Sequence, residues 1–225
     1  MNASLLIVAN FKSNQTTSEA NDWLQKISNF KFQISNSSKK IIICPSFTLL
    51  PLFRQYIDEQ SLSIKLGAQD ISPFSEGPYT GEINGQQIKE FADYVLIGHS
   101  ERRSLLKESD ELIEKKVQNA IAVNLQPIFF VQSSSTSIPE GVEVIVYEPP
   151  ESISTVSGGI ADDPKGVAET IAKLEEVHNF KYVLYGGSVD SQNISTFTKL
   201  SNVDGVVPGR ASLDAKEFIR MVELA

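Results

Sequence analysis

Short apolar runs that stop abruptly at polar residues, proline or glycine recur along this chain. Leu5-Leu-Ile-Val-Ala9 gives way to Asn10-Phe11-Lys12, and Lys40-Ile-Ile-Ile-Cys44 stops at Pro45. Val95-Leu-Ile-Gly98 runs into His99-Ser-Glu-Arg-Arg103, and Val142-Glu-Val-Ile-Val-Tyr147 into Glu148. Tyr182-Val-Leu-Tyr185 leads to Gly186-Gly187-Ser188, and Val203-Asp-Gly-Val-Val207 to Pro208-Gly209-Arg210. Unbroken Val/Ile/Leu runs of this length predict strands buried on both faces, as in parallel sheets. Residues 63–68 and 126–131 read as two further strands, making eight.

The stretches between them carry helical spacing. Residues 18–29 place Trp23, Leu24 and Ile27 on one face, and a helix opening at Ser109 places Ile113, Val117, Ala120 and Ile121 on another. Helices are also expected over 47–59, 84–91, 163–177, 191–200 and 212–224. Eight strands alternating with helices predict an α/β fold, a parallel (β/α)8 barrel. One connection breaks the alternation. Gln132-Ser-Ser-Ser-Thr-Ser-Ile-Pro-Glu-Gly141 is too short and too turn-rich for a covering helix. The barrel is therefore expected to lack a full helix after strand five, which leaves apolar surface for a partner subunit to cover.

Composition changes this picture little. A chain of 225 residues, 41% hydrophobic, suffices for one domain spanning 1–225. With 20 Lys plus Arg against 28 Asp plus Glu, the formal charge of -8 argues against nucleic acid and anionic membranes as partners. An anionic ligand would have to be held by local groups. The single cysteine, Cys44, excludes an internal disulfide and fits a reducing, cytoplasmic setting. The first apolar run lacks a preceding basic region and a cleavage site, and no run approaches the roughly 20 apolar residues that span a bilayer. Two histidines and one cysteine, far apart, give no metal-ligand spacing, so no metal site is expected.

In parallel α/β barrels the active site forms where strands end. Each polar residue there has an ordinary explanation when taken singly: a surface lysine, a structural histidine, a strand-end acid or a turn glycine. His178, at the expected end of a helix, keeps such a reading, because a cation there complements exposed carbonyls. The ensemble is different. Asn10-Phe11-Lys12, Gly98-His-Ser-Glu-Arg-Arg103, Tyr147-Glu148-Pro149, Tyr185-Gly-Gly-Ser-Val189 and Gly209-Arg-Ala-Ser-Leu213 stand in an order that resembles the triosephosphate isomerases over essentially the whole chain. The short length and Glu148-Pro-Pro-Glu151 resemble the compact archaeal branch of that family, whose members commonly form tetramers, the longer members being dimers.

The resemblance implies a TIM barrel and a cofactor-free interconversion of dihydroxyacetone phosphate and glyceraldehyde 3-phosphate in glycolysis and gluconeogenesis. That reaction moves a proton between adjacent carbons through an enediolate, so it needs a movable base and a polariser of the carbonyl oxygens. By resemblance Glu148 is the base and His99 the electrophile, with amides of a helical turn over 100–103 lowering the imidazole's proton affinity. Lys12 supplies a fixed positive charge and Asn10 orients it. Glu101 pairs with a cation inside the site, a surface pair with Arg102 or Arg103 being the simpler alternative.

Phosphate is expected on the backbone of Gly186-Gly187-Ser188 and Gly209-Arg210, where glycines admit a close ligand and amides face an anion. A lid should follow Glu148, with Pro149 and Pro150 as its first hinge, Ser154 at its tip and Gly158-Gly159 as its second hinge. The chain departs from the family pattern at Ser154 and Val156 in the lid, at Pro208, at Arg210 where a second glycine is common, and at Phe130 where most members carry cysteine. Residues 70–82 form a long irregular segment carrying Phe74 and Tyr79. By resemblance it inserts into a second subunit of a homodimer or homotetramer, Thr80 reaching toward Asn10 and His99 of the partner subunit. Competing readings are a phosphate-binding barrel isomerase of another substrate, and a degenerate barrel retained as a phosphate-ligand binding or assembly module.

Overall fold

The computed structural model describes residues 4–30, 39–149, 162–176 and 178–225. Eight parallel strands close into a barrel in chain order: β1 (Leu6–Asn10), β2 (Lys40–Cys44), β3 (Ile64–Ala68), β4 (Tyr94–Ile97), β5 (Gln126–Val131), β6 (Val144–Tyr147), β7 (Tyr182–Tyr185) and β8 (Gly205–Val206). The helices described are α1 (Thr17–Ser28), α2 (Leu50–Gln60), α3 (Gly85–Lys89), α4 (Ser100–Leu105), α5 (Asp110–Ala122), α6 (Pro164–Glu175), α7 (Ile194–Thr198) and α8 (Ala215–Leu224).

The unbroken apolar runs follow from a two-layered core. Alternate strand residues, among them Leu6, Val8, Ile42, Leu96, Ile128, Phe130, Val146 and Leu184, make a cluster built from the strands with no helix residue, which fills the barrel. The intervening positions, such as Ile7, Ile43, Ile97, Phe129 and Ile145, pack against Trp23, Phe53, Val117, Ile171 and Phe218 of the helices. Apart from Lys65 of β3, which is exposed, both faces of the strands are dry along most of their length, so little polar alternation survives. Closure is decided at Gly205. Leu6 pairs with it, and a Cβ there would lie 2.1 Å from the Leu6 carbonyl oxygen, so only glycine lets β8 meet β1.

Capping residues set several helix starts. Thr16 with Glu19, and Asn84 with Gln87, form reciprocal capping boxes, while Ser109 caps α5 and Asp214 caps α8. Some expected elements are shorter than read. Residues 47–59 divide into a 3-10 turn, Phe47–Leu49, and α2, because Pro51 sits in the first turn of the α-helix. The stretch 212–224 likewise divides at Asp214 into the 3-10 turn Arg210–Leu213 and α8. His178 lies beyond the end of α6 rather than in its last turn; it is exposed and rests 5.4 Å from the Phe180 ring. Between β5 and β6, residues 132–143 form turns and bends without a helix, with Ile138 and Val142 partly buried against the core. No described helix is long and apolar enough to cross a membrane.

Candidate active site

Five of the residues singled out converge at the C-terminal mouth of the barrel. β1 ends in Asn10, whose Oδ1 accepts a 3.0 Å hydrogen bond from the Lys12 amide. Lys12 adopts a left-handed backbone with φ 52, a conformation that costs on the order of 1–3 kcal/mol for a residue with a Cβ. Gln69, directly after β3, holds that turn by donating to the carbonyls of Lys12 at 2.8 Å and Cys44 at 2.9 Å. The ammonium is thereby carried to Glu101, 2.6 Å away. This decides between the two readings of Glu101, since Arg102 pairs instead with Asp70 and Glu108, and Arg103 with Asp110.

β4 delivers His99 through Gly98, which has φ +77, a turn that glycine makes without strain. His99 is the N-cap of α4, and its Nδ1 accepts a 3.1 Å hydrogen bond from the Glu101 amide. An Nδ1 that accepts carries no proton, so the neutral ring bears its N–H on Nε2. That nitrogen lies 3.1 Å from Glu148 Oε1, and the other carboxylate oxygen accepts from the Ser100 amide at 3.0 Å. His99 and Glu148 are both buried. Burial pushes the His99 imidazole below its ordinary 6.5, Glu148 opposes that shift, and Lys12 reinforces it. The electrostatic outcome is a neutral hydrogen-bond donor beside a carboxylate. Phe130 closes the floor, its ring 4.8 Å from the imidazole in an edge contact.

Asn10, Lys12, His99 and Glu148 form one wall of a cleft of about 620 Å³, its open mouth included. Gly186, Gly187 and Ser188 after β7, and Gly209 and Arg210 after β8, line it between Glu148 and Lys12. Gly186 is there for room. A Cβ on Gly186 would fall 2.5 Å from Val146 Cγ1 and 3.5 Å from Glu148 Cβ, and one on Gly209 would lie 3.4 Å from Lys12 Cε. Ser154 and Val156, with the rest of the expected lid over 150–161, lie outside the described residues. Tyr79 and Thr80 belong to the exposed part of the 70–82 segment, 74–82, where Tyr79 stacks on Phe74 with centroids 4.2 Å apart.

Two features went unread in the sequence. Gln69 follows the same strand-end rule that marked its neighbours. A charged cluster beneath α4 was the larger omission: Lys116, buried on α5, donates to Asp70 at 2.7 and 2.8 Å and to Glu108, and Arg102 joins the same two carboxylates. The available signal was a lysine three residues after Ile113, on the apolar face of its helix.

Residues 5–225 match the family model described as triosephosphate isomerase. Among known proteins, the chain is 33% identical over 239 residues to the triosephosphate isomerase of Mesomycoplasma hyopneumoniae (strain 232), covering 95% of this chain and 96% of the relative. It is 33% identical to that of Dictyoglomus thermophilum (97% and 98% covered) and to that of Aquifex aeolicus (96% and 98%). Its fold superposes with a TM-score of 0.80 on the crystal structure of triosephosphate isomerase from Bartonella henselae, at 28% identity and 98% coverage of both chains.

Proposed function

The chain belongs to the triosephosphate isomerase family, and from that premise we propose that it interconverts dihydroxyacetone phosphate and D-glyceraldehyde 3-phosphate by proton transfer through an enediolate. Glu148 takes the proton from the carbon beside the carbonyl and returns it to the former carbonyl carbon, while the hydroxyl proton of the enediolate passes to the neighbouring oxygen. His99 Nε2–H donates to the oxygen on which negative charge develops. Lys12 stabilises that charge from the side, with Asn10 and Glu101 fixing its position.

The observation that carries this reading is the pairing of His99 Nε2 with Glu148 at 3.1 Å, across a cleft wall shared with Lys12. A substrate must replace both of these partners. Its carbonyl oxygen takes over the His99 hydrogen bond, and the carboxylate released by that exchange turns to the adjacent carbon. Neutral imidazole suits this step, because it offers a hydrogen without surrendering it at the pH of the cell.

Phosphate binds at the ends of β7 and β8, at Gly187, Ser188, Gly209 and Arg210, with Ser154 reaching it from the lid and the closed lid excluding water. Self-association, as a homodimer or homotetramer, covers Phe74 and Tyr79, which are 42% and 40% exposed, and brings Thr80 to the neighbouring site. The protein acts in the cytoplasm. A coupled assay of the purified chain with glyceraldehyde 3-phosphate tests the reaction; absence of turnover in a folded sample would refute it.

A further inference from the structure

Resting on the isomerase reading, we propose that Phe130 is a positioning residue for the reaction: its ring holds the His99 imidazole in the plane that aims Nε2 into the cleft, and keeps water from the underside of that imidazole. The contacts of His99 point to the need for such a residue. Its backbone is fixed, because its carbonyl accepts from the amides of Arg102 and Arg103 at 2.9 and 3.1 Å. The side chain is held less firmly. Nδ1 accepts from the Glu101 amide at 3.1 Å, and the other bond, from Nε2 to Glu148, is the one a substrate must displace. During proton transfer the imidazole therefore keeps one hydrogen bond to the protein. A bond at one nitrogen fixes a point, not the tilt of a ring.

Phe130 supplies the missing constraint. Its centroid lies 4.8 Å from that of His99 with the planes inclined at 61°, an edge contact in which a swing of the imidazole toward β5 meets the phenyl ring. The phenyl ring has nowhere to retreat. It is 1% exposed on the inward face of β5, packed among Val8, Leu96, Ile128 and Val146, with β4 and β6 flanking its strand. Among the described residues it is also the one phenyl ring that lines the cleft. The charged groups facing His99 come from other elements: Glu148 after β6 and Glu101 of α4 raise its proton affinity, whereas Lys12 after β1 and Arg102 of α4 lower it. Burial is the largest influence and sets the direction, downward from 6.5. β5 brings no charge to this balance, only an apolar ring that keeps one side of the imidazole dry.

The test compares Phe130→Ala, Phe130→Leu and Ile128→Ala with wild type, by steady-state kinetics on glyceraldehyde 3-phosphate and by nitrogen-15 NMR of the imidazoles, with exposed His178 as the comparison from outside the cleft. Ile128 lies two residues earlier on the same inward face and does not line the cleft, so its truncation costs core packing alone. Phe130→Ala opens space against the imidazole that water can enter from the cleft. It is expected to lower kcat about thirtyfold with KM changed less than about twofold, and to move the His99 midpoint up toward 6.5. Phe130→Leu refills the volume without the ring face, so the midpoint is expected to stay near wild type while kcat falls about tenfold. Ile128→Ala should melt earlier yet keep the kcat and His99 midpoint of wild type. A wild-type kcat in Phe130→Leu would overturn the proposal, and so would a loss in Phe130→Ala no greater than in Ile128→Ala with the midpoint unmoved. If Phe130→Ala does not fold, Phe130→Leu decides. The NMR needs no turnover, so an inactive wild type whose His99 midpoint still rises in Phe130→Ala would sink the isomerase reading and not the Phe130 contact.

Discussion

His99 Nε2 and Glu148 Oε1 stand 3.1 Å apart, while His99 Nδ1 is committed as an acceptor from the Glu101 amide. The ring therefore has one hydrogen to give, and without substrate it gives it to the carboxylate. Shortening that acid tests whether it is the base. Glu148→Asp withdraws the carboxylate by roughly 1 Å, a displacement able to cost about a hundredfold in rate. Glu148→Gln removes the basicity while keeping an oxygen for the Ser100 amide, and should lose more. Coupled-assay kcat beside near-ultraviolet circular dichroism checks both; a folded Glu148→Gln protein with nearly full turnover would end the proposed proton transfer.

Burial, aided by Lys12, depresses the His99 imidazole below 6.5 in the folded protein. The unfolded chain then takes up a proton before the folded one does. The stability tied to a neutral His99 is fully present above the unfolded value and drains away as pH falls through 6.5 toward the lower folded value. Nitrogen-15 NMR should show the proton on Nε2 and not on Nδ1 at pH 7, with a titration midpoint below 6.5. A midpoint above 6.5 would mean that Glu148 and Glu101 outweigh burial and that the catalytic donor is imidazolium.

Lys116 makes a structural prediction. It is 3% exposed and serves both Asp70 and Glu108. Burial holds the Asp70 carboxyl above its ordinary value in spite of Lys116. At Glu108 burial pulls the same way, but hydrogen bonds from Arg102 and Lys116 prevail and hold it below. Lys116→Met strands a carboxylate pair with only Arg102 to serve it, which should cost on the order of 3–5 kcal/mol. Urea denaturation measures the loss, and its partial recovery in Lys116→Met/Asp70→Asn identifies charge as the cause; a midpoint unmoved by the single substitution contradicts it.

The barrel and the convergence of Asn10, His99 and Glu148 at its mouth were legible because one physical rule produces both. Strands dry on two faces read as apolar runs, and a polar residue at the end of such a run, such as Asn10, His99 or Glu148, has nowhere to point but the mouth. The Lys12–Glu101 pair was left open because it joins residues 89 positions apart through a left-handed turn that no local pattern announces. The Asp70–Arg102–Glu108–Lys116 cluster escaped for a related reason. Asp70, Arg102 and Glu108 each read as a surface charge, and only the fold brings them to Lys116. Short elements were overread: β8 spans two residues, its flanks Asp204 and Val207 bonding to Val183 and Tyr185 of β7, whereas the sequence shows an apolar run of ordinary length.

Gly205→Ala should damage the fold rather than the chemistry. The added methyl would meet the Leu6 carbonyl at 2.1 Å and Leu184 Cδ2 at 2.8 Å, and the first of these is backbone that cannot rotate away. Opening the β8–β1 seam is the remaining response, with an expected loss of about 3 kcal/mol or more. Thermal denaturation reads the loss directly. Native melting with kcat unchanged would show that the seam has slack the geometry denies.

The loop over 70–82 offers the last test, because it ties two parts of the proposed function together. Phe74 and Tyr79 stack at an interplanar angle of 9° yet remain more than a third exposed, so their pairing fixes the loop's shape without hiding its apolar surface. Gly77 leaves room for that shape, since a Cβ there would fall 2.8 Å from the Tyr79 ring. A preorganised apolar tip loses little entropy when a second subunit covers it. The loop's root, Asp70, is also bonded to Lys116 and Arg102, next to the helix that His99 caps. Shortening the loop between Pro73 and Glu82 should therefore yield monomers on size-exclusion chromatography, and should lower kcat more than it raises KM. An oligomer of unchanged size after the deletion would refute the interface assignment, and full turnover in a monomer would show that the catalytic wall stands without its neighbour.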